Sequence, residues 1–200
     1  MLSALLLIRM NRPLSGTDRP SRPVDTETGG NDYPVTVEDP STGARITFLE
    51  RGVDEQGSYL LMDGILPPGI DSGPARLHPR SSALSEVVEG RALVTVRGEE
   101  TVLLPGESVV LDAGDPHTIR NGDQGQLIVR TTLRPPGEFE TAIRTLYELG
   151  AGGRPNPLSI AAVLYRHRED VRLASVPWRL QRPILRVLTA VARALGRDPT

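Results

Sequence analysis

The sequence predicts a mainly β protein, a small barrel or sandwich followed by an α-helical extension. Three observations carry that prediction. From Tyr33 onward, short apolar runs recur between turn residues, among them PVTVED, RITFLE, SYLLMDGIL, ALVTVRG and SVVLDAG. Several of them alternate apolar and polar residues, the pattern of a strand with one buried face. Gly90, Gly98, Gly106, Gly114 and Gly122 follow one another at intervals of eight, and a glycine supplies the positive φ that a tight turn between strands demands. After Pro135 and Pro136 the apolar period lengthens to that of a helix.

Taken in order, residues 1–32 read as a tail. The opening run MLSALLLIRM is far shorter than the roughly 20 residues a membrane span needs, and it lacks the basic start of a signal peptide. The segment that follows is rich in Pro, Ser, Thr, Asp, Arg and Gly. It cannot bury enough apolar surface to offset its ordering entropy, and is expected to be disordered. Residues 33–135 are expected to form the β-barrel.

Residues 136–200 are expected to form a helical extension, packed on the barrel or on a partner in a homodimer. Phe139, Ile143, Leu146 and Leu149 share one helical face, with Gly150 as a stop. Asn156 and Pro157 supply a cap and a first turn for a second helix. A third is predicted from about Pro183 to Leu195, with Ile184, Leu188, Val191 and Leu195 in register and Gly196 as its end. These stripes must be covered, and outward-facing Leu84, Val88 and Leu93 on the strands could receive them.

Composition removes several classes of function. The chain has no cysteine, which excludes disulfides, zinc ribbons and thiol nucleophiles. All its basic residues are arginine, so a Schiff base on lysine is excluded as well. A net charge of -2 makes no electrostatic case for nucleic acid. Ser81, Ser82 and Ser85 lack the glycine elbow of a serine hydrolase, and GVDEQG lacks the lysine of a phosphate loop. Eight arginines lie between Arg166 and Arg197. A basic amphipathic helix can lie on an anionic membrane, but a helix packed on the barrel with its arginines in water is the preferred expectation. A cytoplasmic location is expected.

Two stretches carry the chemistry. The first is ARLHPRSSALSEVVEG, Ala75 to Gly90, and the second is GESVVLDAGDPHTIRN, Gly106 to Asn121. Together they resemble the two motifs of the cupin superfamily, the RmlC-like jelly-roll barrels. The second motif lacks only its proline, replaced by Asp112, and fifteen residues separate Gly90 from Gly106. Counted back from Gly90, the first motif puts Arg76 and His78 at its histidine pair and Ala83 at its glutamate. The resemblance therefore implies a metal site with two of four ligands kept, His78 and His117, and two lost, at Arg76 and Ala83. The stretch PNPLSIAAVLYRHREDVRLASVPWRLQRPIL extends the likeness to a group of bacterial cupin-domain proteins with a three-helix tail. The likeness then covers Asp39 to Gly196. It implies an architecture and no single activity.

Physical chemistry narrows what such a site can hold. Two imidazoles bind a divalent metal weakly, since a 3d ion with open positions wants three or four N/O ligands. Glu86 cannot fill in on a regular strand, because three residues from Ala83 reverses the face. An inward Arg76 cannot ligate and repels a cation, whereas it can grip a carboxylate with two parallel hydrogen bonds. Arg76, His78, His117 and Asn121 are therefore the candidate ligand-binding residues, for a small anionic or carbonyl-bearing molecule and without a metal cofactor. Two alternatives stand beside this. One is an inert barrel with only a structural role. The other is a metal-dependent dioxygenase or isomerase with Mn, Fe, Ni or Zn on His78 and His117. His167 is expected to face solvent, Trp178 and Tyr165 to pack, and Asp112 and Asp115 to form turns.

Overall fold

The structure is a computed structural model and describes residues 33–151 and 153–199. The expected tail over 1–32 lies outside the described residues. Two antiparallel sheets face each other. The first runs β1 (Val35–Glu38), β2 (Arg45–Asp54), β3 (Gly57–Leu66), β10 (Leu127–Arg134), β5 (Ser82–Glu89) and β8 (Ser108–Leu111) in spatial order. The second runs β11 (Arg172–Leu173), β4 (Arg76–Leu77), β9 (His117–Asn121), β6 (Ala92–Val96) and β7 (Glu99–Leu103). Phe48, Leu60, Val87, Val94, Leu103, Leu127 and Leu133 are fully buried and form the filling between them.

The strand pattern works as read. In β5, Ala83, Ser85 and Val87 are buried while Leu84, Glu86 and Val88 are exposed. Glu86 faces away from the barrel interior. Gly90, Gly98, Gly106 and Gly114 all have φ between 85° and 88°. Gly98 shares a two-residue hairpin loop with Arg97, whose φ is also positive, and the loop joins Val96 to Glu99. Gly122 departs from the series. Its φ is not in the left-handed region, and a side chain there would crowd Leu93, with a Cβ only 2.8 Å from Leu93 Cγ. That glycine answers to space rather than to a turn.

Three helices follow: α1 (Phe139–Ala151), α2 (Pro157–Arg166) and α3 (Trp178–Ala194). In α1, Phe139 and Ile143 enter the barrel core, and Leu146 and Tyr147 pack against it. Gly150 does not stop α1, which continues to Ala151. Asn156 caps α2, its side-chain oxygen accepting from Leu158 N at 2.9 Å. Between α2 and α3, residues Arg172–Leu173 add β11 to the edge of the barrel sheet, opposite Leu77 and Arg76. Periodicity over two residues carries no signal, so the sequence did not announce this strand.

α3 corrects two expectations. It starts at Trp178, five residues before Pro183, and carries that proline inside. Of the predicted stripe only Leu188 is half-buried, as is Leu185, and the other large aliphatic residues stay outside the packed face. Leu180, Ile184, Val187, Val191 and Leu195 are exposed, and the buried residues are Gln181, Thr189 and Ala192. α2, which packs against α3, buries Ser159, Ala161, Ala162 and Val163. Small residues on both helices let the two backbones come close, and this decides which face packs. Leu84 and Val88, expected to receive helices, stay 45% and 44% exposed.

Candidate functional site

β4 and β9 lie side by side with Arg76 opposite His117. The Arg76 side chain turns inward. Its Nη1 donates to Ser72 O at 2.6 Å and to Ser72 Oγ at 3.3 Å. Its Nε is sealed from solvent and has no hydrogen-bond partner. Among the described residues, no carboxylate pairs with this guanidinium. Burial pulls its pKa down, and Tyr147 acts weakly the other way, yet an arginine keeps its proton in a protein.

The two histidines are buried beside it, ring centroids 5.2 Å apart. His78 Nδ1 donates to Asp170 O at 2.8 Å, and His117 Nδ1 donates to Asp115 O at 2.9 Å. A carbonyl can only accept, so each ring holds its proton on Nδ1 and keeps a lone pair on Nε2. Burial pushes His78 down to about 3, against the Asp170 carbonyl, with Arg76 and His117 adding to the fall. Burial pushes His117 down to about 4, helped by Arg76 and opposed by Asp115. Both rings are neutral at pH 7. The second motif's turn braces the pair, with Gly114 N donating to His78 O at 2.8 Å.

The cavity lies at Arg76 rather than between the histidines. It measures about 80 Å³, and Arg45, Ser72, Arg76, Thr131, Phe139 and Tyr147 are among the residues around it. A second space of about 250 Å³ adjoins it on the side of α1 and shares Ser72, Arg76, Phe139 and Tyr147. Neither histidine reaches either lining. His78 stands behind Phe139, edge to face at 5.1 Å between centroids. Arg45 repeats the condition of Arg76. Its Nη2 reaches Gln126 Oε1 at 3.3 Å, its Nε is buried without a partner, and no carboxylate pairs with it among the described residues.

Asn121 is not at the cavity. Its amide nitrogen donates to Leu66 O and Gly125 O, both at 2.8 Å, and its oxygen accepts from Asp123 N at 2.8 Å. Its side-chain polar atoms are taken up by the turn after β9 and by the end of β3. Asp115 is likewise a turn residue and accepts from Arg97 Nε at 2.7 Å. His167 corrects an expectation: it is 3% exposed, at the C-terminal cap of α2 beside Glu138 and Asp170. Sequence reasoning missed Arg45, Ser72 and Tyr147. Tyr147 sits one helical turn beyond Ile143 on the stripe already noted, so its place was readable. Arg45 and Ser72 gave no sign.

Among the described residues, no third His, Asp or Glu joins His78 and His117 as a potential ligand inside the barrel. Each of the two imidazoles can offer one Nε2 lone pair, their ring centroids 5.2 Å apart. The third position holds a guanidinium and the fourth the methyl group of Ala83, which is 4% exposed. A positive charge beside two neutral donors opposes a cation and favours an anion.

Residues 63–131 match the family model described as the cupin domain. No curated protein matches the chain. Among solved structures, the chain is similar to a cupin-superfamily sugar phosphate isomerase from Silicibacter pomeroyi, at 18% identity and TM-score 0.40, over 47% of this chain and 61% of that one. It is similar to an RmlC-like cupin from Shewanella frigidimarina, at 26% identity and TM-score 0.43, over 52% and 86%. It is also similar to KdgF from a Halomonas species, at 20% identity and TM-score 0.40, over 46% and 78%. No helix among the described residues is long and apolar enough to cross a membrane.

Proposed function

We propose that this cupin-domain protein, whose residues 63–131 carry the family match, binds a small organic anion in the cavity between Arg45 and Arg76. One observation carries the reading: two guanidiniums border one cavity, each with a buried Nε that has no partner, and no acid among the described residues pairs with either. A buried, uncompensated charge costs on the order of several kcal/mol. A carboxylate between the two forks would offset that cost through charge-assisted hydrogen bonds to the guanidiniums. The remaining wall includes Ile46, Met62, Leu66 and Val129, so the ligand carries an apolar body behind its charged group. His78 and His117 act on this site as neutral neighbours that leave the arginine charge unshared.

The test is a thermal-shift panel of small carboxylates and sugar acids on the full chain. A ligand that binds the native state raises its melting temperature. The expected result is a shift with at least one anion that disappears in Arg76→Met and in Arg45→Met. Without ligand, Arg76→Met is expected to melt no lower than the wild type, because it removes a buried charge without a counter-ion. A panel with no effect favours the inert barrel.

The runner-up is a metal-dependent cupin enzyme using His78 and His117, favoured by the two Nε2 lone pairs on adjacent rings. Elemental analysis of protein made without a histidine tag decides between them. Stoichiometric metal that is lost in His117→Gln supports the enzyme and sinks the anion site.

A further inference from the structure

A second cluster lies outside the barrel, where α1 and the end of α2 meet. His167 follows α2, and its turn is closed by Asp170 N donating to His167 O at 2.9 Å and Val171 N at 3.0 Å. That turn sets the Asp170 carboxylate beside the imidazole. Glu138 precedes α1, and its backbone N donates to Asp170 Oδ1 at 3.1 Å. His167 Nδ1 is 3.3 Å from Glu138 Oε2 and 3.9 Å from Asp170 Oδ2. The three ligand atoms lie within 4.8 Å of one another. Gly137 makes room for them, since a Cβ there would collide with the Asp170 carboxylate.

The His167 nitrogen is the telling atom. The residue is 3% exposed, and its Nδ1 is sealed from solvent with no hydrogen-bond partner, because neither carboxylate is aligned to accept from it. An imidazole nitrogen buried and aimed at two carboxylates needs a shared cation or a better-placed proton. Burial also holds the His167 pKa below its usual value, against the pull of Glu138 and Asp170. In a chain with 23 basic residues, all arginine, neither Glu138 nor Asp170 is paired with one among the described residues. A tetrahedral ion with bonds of about 2.0–2.1 Å separates its donors by about 3.3–3.4 Å, close to the observed distance from His167 to Glu138.

We propose that Glu138, His167 and Asp170 bind a divalent 3d cation, with Zn²⁺ the best match to one imidazole and two carboxylates. Glu138 is largely exposed, which provides an entry path and leaves a coordination position to water. The ion clips the start of α1 to the turn after α2. It also bears on the barrel, because the backbone oxygen of Asp170 is the acceptor of His78 Nδ1. Fixing Asp170 fixes the tautomer and orientation of His78. This site is independent of the anion cavity, and each can fail without the other.

The experiment is titration of the full, untagged, chelator-treated chain with Co²⁺, read by its visible absorption, followed by displacement with Zn²⁺ and a thermal melt. One equivalent of Co²⁺ is expected to give the bands of a four- or five-coordinate ion, and Zn²⁺ is expected to abolish them and raise the melting temperature. Outer-sphere changes alone cost about 10–100-fold in metal affinity, so Glu138→Gln, at an exposed position that does not threaten folding, is expected to weaken binding at least about tenfold. Asp170→Asn is expected to do the same, and His117→Gln to leave it unchanged. Equal affinity in Glu138→Gln overturns the proposal. Loss of binding in His117→Gln, which would put the ion inside the barrel, overturns it too, as does an absence of binding at millimolar Co²⁺.

Discussion

Single residues decide more here by what they lack than by what they touch. Among the described residues Arg45 and Arg76 lack acids, and each has a buried Nε without an acceptor. Ala83 lacks the carboxylate that the motif register wants, and contributes a methyl group to the core instead. Gly90 lacks a Cβ, which at φ 85° would stand 2.6 Å from Gln126 O. Gly90→Ala is therefore expected to destabilise by about 1–3 kcal/mol, since it combines a strained φ with a backbone clash. Urea unfolding checks it, and an unchanged midpoint would mean that β5 and β10 can separate freely there. The motif resemblance implied that Arg76, His78 and His117 lie close together, and the structure sets Arg76 opposite His117 and the two imidazole rings 5.2 Å apart. The sequence did not reveal that the cavity opens at Arg76 with Arg45 across from it. That depends on β2, whose distance from β4 no count along the chain contains.

Among the elements, the two-residue strand β11 matters out of proportion to its length. It pairs with β4, so a piece of the extension holds the strand that carries Arg76. Gln181 secures it from α3, its amide donating to Leu173 O at 2.6 Å and also to Val176 O. Gln181→Ala frees both carbonyls in a buried place, and is expected to cost about 1–3 kcal/mol. The same change is expected to speed hydrogen exchange at the amides of Arg76 and Leu77 more than in β6 or β7. Uniform protection would sever the link drawn between α3 and the site. α3 also shows why a hydrophobic stripe alone misleads. The stripe is present, yet the face that packs is the one with Thr189 and Ala192, where small residues let α2 come near.

At the scale of the whole molecule, the barrel and the extension share one core, because Phe139 and Ile143 of α1 belong to the cluster that fills the barrel. The burial of His78 and His117 makes stability depend on pH in a particular direction. His78 and His117 titrate near 6.5 when unfolded and at about 3 and about 4 when folded. Between those values the unfolded chain binds more protons, so stability falls as pH falls from about 6.5 and levels off below about 3. Chemical denaturation of metal-free protein across that range is expected to show the decline, and His117→Gln to flatten part of it. A flat profile in the wild type would mean that both imidazoles are open to water. By itself the sequence determined the β-rich class, the glycine turns, the capped α2 and the outward face of Glu86. All of these follow from local periods, from turn chemistry and from spacing along one or two adjacent strands. Only the tertiary structure decided that α1 closes the cavity, that Arg45 joins Arg76, that β11 extends the sheet, and that His167 is buried beside two carboxylates. Those outcomes rest on which surfaces meet across long stretches of chain, and packing, not periodicity, selects among surfaces that the sequence leaves equally apolar or equally charged.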